Sequence, residues 1–164
     1  MTQRKADKGL DFETLRLGIE RCEHELVLGF YAEDAVLSIV NADAPHDSPF
    51  ELRGKAEIAK HLRAIFGQGA SHSVEREVVN EDRVTFREAC EYPDGGRLWV
   101  ETALEVRDGM ILRQVEVVSR VAQAEHKGEI SQRSPTRNSH PEVGASPRDR
   151  LSRFKQATEK EDLR

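Results

Sequence analysis

The stretch RVTFREACEYPDGGRLWVETALEVRDGMILRQVEVVSR, from Arg83 to Arg120, decides the fold. It holds three runs in which Val, Thr, Phe, Leu and Ile alternate with charged residues, the pattern of strands with one face buried. Pro93-Asp94-Gly95-Gly96 and Asp108-Gly109 break the runs with residues that adopt tight turns at low cost. Nothing between the runs is long enough for the crossover that a parallel pair needs, so the chain turns back on itself as consecutive hairpins. A further run, His72 to Val79, precedes them across Asn80-Glu81-Asp82, which makes a meander of four strands.

Register follows from matching apolar faces, because a one-residue slip sends a whole apolar set to the wrong side. A three-residue loop at Asp94–Gly96 sets Cys90 opposite Val100, Glu88 opposite Thr102, Phe86 opposite Leu104 and Val84 opposite Val106. That gathers Val84, Phe86, Val100, Leu104 and Val106 inside and leaves Trp99, Glu101 and Ala103 outside. A two-residue loop would instead pair Cys90 with Trp99 and set Val84 against Glu105. At the last turn, Asp108-Gly109 fits a two-residue type I′ loop, which by itself turns Ile111, Val115 and Val117 inward and Glu116 outward.

Upstream of the meander the period changes from two to nearly four. Asp11 stands where a helix N-cap would, and Leu15, Ile19 and Cys22 recur at helical spacing to about Arg21. A short run from Glu25 to Tyr31 is apolar all round and is expected as a helix buried by the sheet. Ala35 to Val40 reads as a strand, Asn41 to Pro49 as a loop, and Phe50-Glu51-Leu52 as a short edge strand. After Gly54, residues Ala56, Ile58, Ala59, Leu62, Ile65 and Phe66 fall on one helical face. Lys55, Glu57, Lys60, His61 and Arg63 fall on the other, and Gly67 and Gly69 close the helix. Helices early and a strand meander late predict an α+β fold, one domain over residues 10–121.

The 164 residues carry a net charge of -5, without the excess of Lys and Arg that nucleic acid or an anionic membrane requires. Hydrophobic residues make up 37% and charged residues 34%, so part of the chain is expected to stay outside the core. Residues 1–9 read as a frayed start, 122–147 as a polar linker, and 148–163 as a short helix with Leu151 and Phe154 on one side. That helix is too short to persist alone and suits docking onto a protein partner. Cys22 and Cys90 lack the spacing of a metal knuckle or a disulfide framework, and no apolar run approaches a membrane span or a secretion signal. A reduced, cytoplasmic setting is the simplest reading. His46 and Asp47 have no third ligand at sensible spacing, so neither a metal nor another cofactor is expected.

The element order, with Phe30-Tyr31-Ala32-Glu33-Asp34-Ala35 before the first strand and Arg53-Gly54-Lys55-Ala56-Glu57-Ile58 opening the long helix, resembles the nuclear transport factor 2-like superfamily. Tyr92-Pro93-Asp94-Gly95-Gly96-Arg97 and Arg107-Asp108-Gly109-Met110-Ile111 look like hairpin turns of its SnoaL-like branch, named for a polyketide cyclase. The resemblance covers about residues 11–119. It implies a cone-shaped α+β barrel, a curved antiparallel sheet wrapped by three helices around a pocket for a small apolar molecule. It also implies a homodimer paired back to back through the outer sheet face, where Trp99 and Val118, with Val79 beside them, would form the apolar patch.

Members of that superfamily differ in chemistry, so the fold places a site without defining it. Where members resembling ketosteroid isomerase carry an Asp base, this chain has Leu37, Ser38 and Ile39. Where members resembling limonene epoxide hydrolase hold a water with Tyr and Asn, it has about Leu37 and Ile39, and Glu88 and Cys90 replace their Arg and Asp. Their last carboxylate falls at about Glu116. Two catalytic candidates remain, Glu88 and Glu116: inside an apolar cup, burial and mutual repulsion would raise at least one of their pKa values. The ligand-binding candidates are Leu37, Ile39, His72, Phe86, Cys90, Val100, Thr102 and Leu104. His72 would act as a base or orient a carboxylate. The alternative to an isomerase-, cyclase- or hydrolase-type enzyme is a non-catalytic dimeric module whose tail docks a partner.

Overall fold

The structure is a computed structural model that describes residues 9–44 and 46–122. The readings for residues 1–8 and for the tail after 122, including the helix at 148–163, lie outside the described residues. Helix α1 (Phe12–Glu20) starts where Asp11 accepts hydrogen bonds from the Thr14 backbone N–H at 3.2 Å and its hydroxyl at 2.7 Å. It buries Leu15 and Ile19. Helix α2 (His24–Leu28) packs close beside it: a Cβ at Gly18 would meet Val27 Cγ2 at 3.0 Å, a contact tight enough that Val27 would have to give by a few tenths of an ångström.

Strand β1 (Tyr31–Asn41) and the short β2 (Phe50–Arg53) pair antiparallel. Helix α3 (Lys55–Phe66) follows Gly54, whose φ of 90° turns the chain, and Glu57 Oε2 accepts from the Arg53 backbone N–H at 2.7 Å. The meander is then β3 (Ser71–Val79), β4 (Arg83–Glu91), β5 (Arg97–Arg107) and β6 (Met110–Arg120). The six strands lie in the order β2-β1-β6-β5-β4-β3. The α+β class is as expected, but the sheet is mixed, because β1 pairs parallel with β6, and it stays open between β2 and β3.

Several local expectations need correcting. The run from Glu25 to Tyr31 is helical only to Leu28, and Leu26 is 38% exposed; Tyr31 already belongs to β1 and is 3% exposed. Between β4 and β5 the pairs are Cys90 with Leu98, Glu88 with Val100, Phe86 with Thr102 and Val84 with Leu104. The three-residue loop is Pro93–Gly95, closed by the Tyr92 N–H donating to the Gly96 carbonyl at 2.8 Å, one residue earlier than expected. Moving a hairpin loop by one residue shifts the pairing by two, which preserves every face. Val84, Phe86, Val100, Leu104 and Val106 are therefore buried as expected, and Trp99, Glu101 and Ala103 point outward.

The β5–β6 hairpin holds the finding that decides the site. Asp108 and Gly109 do form the two-residue turn, at φ values of 51° and 76°, and Ile111 is buried. Val106 pairs with Ile111, yet Glu105 pairs with Arg113, so Leu112 is an extra residue, a β-bulge. From there the alternation reverses: Gln114, Glu116 and Val118 face inward while Val115 and Val117 are each 36% exposed. Val118 is consequently 5% exposed on the inner face and is no part of an outer patch with Trp99. Val79, half-exposed, lies at the end of β3.

Inside the cone two apolar clusters form. The larger joins the helices to Val84, Phe86, Leu104 and Ile111 of the sheet, with Phe12 and Phe86 tilted against each other at 5.6 Å between centroids. The smaller contains Ala70, Cys90, Tyr92, Leu98, Val100 and Val118.

Candidate functional site

A cavity of about 370 Å³ is lined by residues of both clusters. That is within the range of about 300–1,000 Å³ typical of small-molecule sites. Most of its wall is apolar: Ile39, Phe66, Phe86, Val100, Leu104 and Ile111 among others. Polar groups enter where the inward alternation of β4 and β6 meets Glu88 and Cys90, then Gln114 and Glu116. Tyr31 arrives from β1, His72 from β3 and His61 from α3.

These groups form two linked sets. In the first, the Tyr31 hydroxyl donates to Gln114 Oε1 at 2.5 Å, and Gln114 Nε2 donates to Glu116 Oε1 at 2.6 Å. Burial pushes the Tyr31 hydroxyl far above its ordinary value, so it remains a neutral donor. In the second, His72 Nδ1 and Glu88 Oε1 share a hydrogen bond, and the Cys90 thiol donates to Glu88 Oε1 at 3.6 Å. Burial first, then the charge of Glu88, pushes the Cys90 thiol up, which keeps it a thiol.

Glu116 is the group most altered in chemical character. Burial, reinforced by the charge of Glu88 and only partly opposed by the Gln114 hydrogen bond, pushes its carboxyl up to about 8. At neutral pH it is mostly the uncharged acid, able to donate a proton. His61, 1% exposed, is lowered to about 4 by burial and is neutral. At the rim, the Arg120 backbone N–H and Nε donate to Asp43 Oδ2 at 3.1 and 3.2 Å, tying the end of β6 to the loop after β1.

Of the residues singled out in the sequence, Glu88, Glu116, Ile39, His72, Phe86, Cys90, Val100 and Leu104 all line the cavity. Leu37 and Thr102 do not. Leu37, 1% exposed and paired with Leu52, is sealed in the larger cluster. Thr102, 3% exposed, sits in the sheet between Phe86 and Glu116. Asp47 of the His46–Asp47 pair reaches the cavity wall; His46 is exposed.

Among the lining residues that the sequence pattern does not single out are His61, Tyr31 and Gln114. Polarity alone places His61 on the solvent face of its helix, yet it follows Ile58 by three and precedes Ile65 by four, the spacing of a shared face. Tyr31 was hidden in an apparent helix. Gln114 lies two residues before Glu116 on a strand and had to share its face.

A curved mixed sheet with three helices around such a cavity defines a nuclear transport factor 2-like α+β cone. Residues 17–114 match the family model of the SnoaL-like domain, and the chain belongs to that family. The fold is similar to that of a putative ketosteroid isomerase from Kribbella flavida, at 16% identity and a TM-score of 0.55, covering 78% of this chain and 92% of that one. It is also similar to a nuclear transport factor 2-like protein of unknown function from Mesorhizobium loti, at 20% identity and a TM-score of 0.58, covering 66% and 87%. At these identities the likeness concerns the fold alone. Among curated proteins none matches the sequence significantly.

Proposed function

We propose that this SnoaL-like domain is a proton-transfer enzyme of isomerase or cyclase type, acting on a compact, largely apolar molecule with at least one polar oxygen. The observation that carries this reading is Glu116, a carboxyl raised to about 8 inside an apolar cavity. There it donates a proton to a substrate oxygen, while Glu88, held by His72 and Cys90, accepts one from carbon. The Tyr31–Gln114 chain fixes the direction in which the acid points. The fold is one that a putative ketosteroid isomerase shares; here the carboxylates stand on β4 and β6, not at Leu37 or Ile39 of β1.

The test is conjugation of simple cyclic β,γ-unsaturated ketones, followed by ultraviolet absorbance. Glu116→Gln should lower kcat by about 10²–10⁴-fold, the usual contribution of a positioned acid or base, without changing the circular dichroism of the fold. Wild-type turnover in that variant would remove Glu116 from the chemistry.

Pairing of two copies through the outer sheet face is supported by Trp99, 39% exposed, with Val115 and Val117 on the same face. Trp99→Asp should then shift sedimentation from dimer to monomer.

A further inference from the structure

His72 lies directly opposite Cys90 in the β3–β4 pairing, and Glu88 precedes Cys90 by two residues on the same inward face. The three side chains line the cavity, and Nδ1, a carboxylate oxygen and Sγ lie within 4.8 Å of one another. Cys90 Sγ is 3.5 Å from His72 Nδ1 and 3.6 Å from Glu88 Oε1.

A cysteine, a histidine and a carboxylate can form either a nucleophile relay or a coordination site. A relay uses both ring nitrogens, one toward the thiol and the other toward the carboxylate. Here Cys90 and Glu88 both address Nδ1, and Nε2 is buried with no hydrogen-bond partner among the described residues. The donors converge on a common point and do not form a line. A tetrahedral ion with bonds of about 2.3 Å to sulfur and about 2.0–2.1 Å to nitrogen and oxygen separates its sulfur from either neighbour by about 3.5–3.6 Å. Cys90 already stands at those distances; loading requires His72 Nδ1 and the Glu88 oxygen, now in hydrogen-bond contact, to part to about 3.3 Å.

We propose that His72, Glu88 and Cys90 bind one zinc-class divalent cation, leaving its fourth position open to the cavity. Thiolate and imidazole favour such an ion over magnesium or calcium, which take oxygen ligands. A thiolate, a carboxylate and a neutral imidazole around a dication sum to zero charge, which suits an apolar wall. Binding releases the Cys90 thiol proton, and the proton shared by His72 and Glu88, to solvent. The open position takes water or a substrate oxygen. In the loaded protein Glu88 is a ligand and no longer accepts a proton from carbon, so the proton transfer proposed above belongs to the metal-free protein; Glu116 is not a ligand and keeps its proton in either form.

The test is titration of the full chain, freed of metal by a chelator, with Co²⁺ as the probe. One equivalent should give a thiolate-to-cobalt charge-transfer band and the intense visible bands of a tetrahedral ion, both bleached by Zn²⁺. Cys90→Ser should abolish the charge-transfer band and weaken Co²⁺ binding by at least about tenfold. His72→Ala should weaken it similarly, while Cys22→Ser and Glu116→Gln should bind as the wild type does. Should Cys90→Ser fail to fold, the wild type still decides: Zn²⁺ should protect Cys90, and not Cys22, from alkylation as read by mass spectrometry. A missing charge-transfer band, a band surviving Cys90→Ser, or unprotected Cys90 overturns the proposal. Such a result leaves the Glu116 reading intact, because the titration and turnover of Glu116 are measured without metal.

Discussion

The two faces of β4, β5 and β6 use the same residue types and put them to different ends. Outside, the Arg87 guanidinium lies 4.4 Å from the Trp99 ring centroid, donates from Nε to Glu101 at 2.5 Å and approaches Glu75 at 3.9 Å. One residue further along the same strand and on the opposite face, Glu88 meets a histidine and a thiol, and two strands over on that same inner face Glu116 meets an amide. A glutamate beside a guanidinium and water is ordinary surface chemistry. A glutamate in an apolar cavity, facing another carboxylate, becomes an acid that holds its proton to about 8. Alternation distributes the carboxylates, and access to water and to a cation decides what each one becomes.

The sharpest way to break this contrast is to remove the inner carboxyl and measure stability against pH. In the folded protein Glu116 is held at about 8 against an ordinary 4.5, so folding favours its protonated form. That contribution is complete below about 4.5 and is lost as pH rises through 8. The unfolding free energy of the wild type relative to Glu116→Gln should therefore fall across this window by up to about 1.4 kcal/mol per pH unit. A flat difference in urea denaturation would show a solvated carboxyl and end the distinction between the faces.

Packing gives the next largest effect. Phe86, 4% exposed and against Phe12, should cost about 3–5 kcal/mol on truncation to Ala. Trp99→Ala, on the outer face, should cost much less in the monomer, losing mainly a cation–π contact of about 0.5–1 kcal/mol. Comparable denaturation midpoints for the two variants would mean that the outer face is as packed as the inner.

His61 sharpens the comparison from the acid side. Its imidazole is lowered from 6.5 to about 4, so folding favours the neutral form. That stability is complete above 6.5 and is lost as pH falls through about 4. His61→Leu should remove a slope of up to about 1.4 kcal/mol per pH unit between those values. The smallest change should come from Glu101→Gln on the outer face, within about 1 kcal/mol and shrinking with added salt.

The order of elements was legible because strand alternation, turn residues and helical spacing are local properties. Even the misplaced loop at Pro93–Gly95 left the inner and outer faces correct, since a shift of two preserves parity. The end of the short helix was not legible, because Phe30 and Tyr31 fit either a buried helix or the start of β1. The parallel pairing of β1 with β6 was missed for a different reason: the partners lie some eighty residues apart, and no hairpin announces them. His61 was not legible either, because polarity alone puts such a residue on the solvent side of an amphipathic helix.

Residue types and their periods determined an α+β domain with a four-strand meander and put Glu88 and Cys90 on one face of β4; the resemblance carried by the ordered motifs added the cone and its cavity. Only the tertiary structure decided Glu116. The Asp108-Gly109 turn argued that it faces outward and the family resemblance argued inward. One extra residue at Leu112 reconciles the two by reversing the alternation after the turn. A bulge leaves no compositional mark, because it is the packing of Gln114, Glu116 and Val118 against the rest of the inner face that fixes where the count changes.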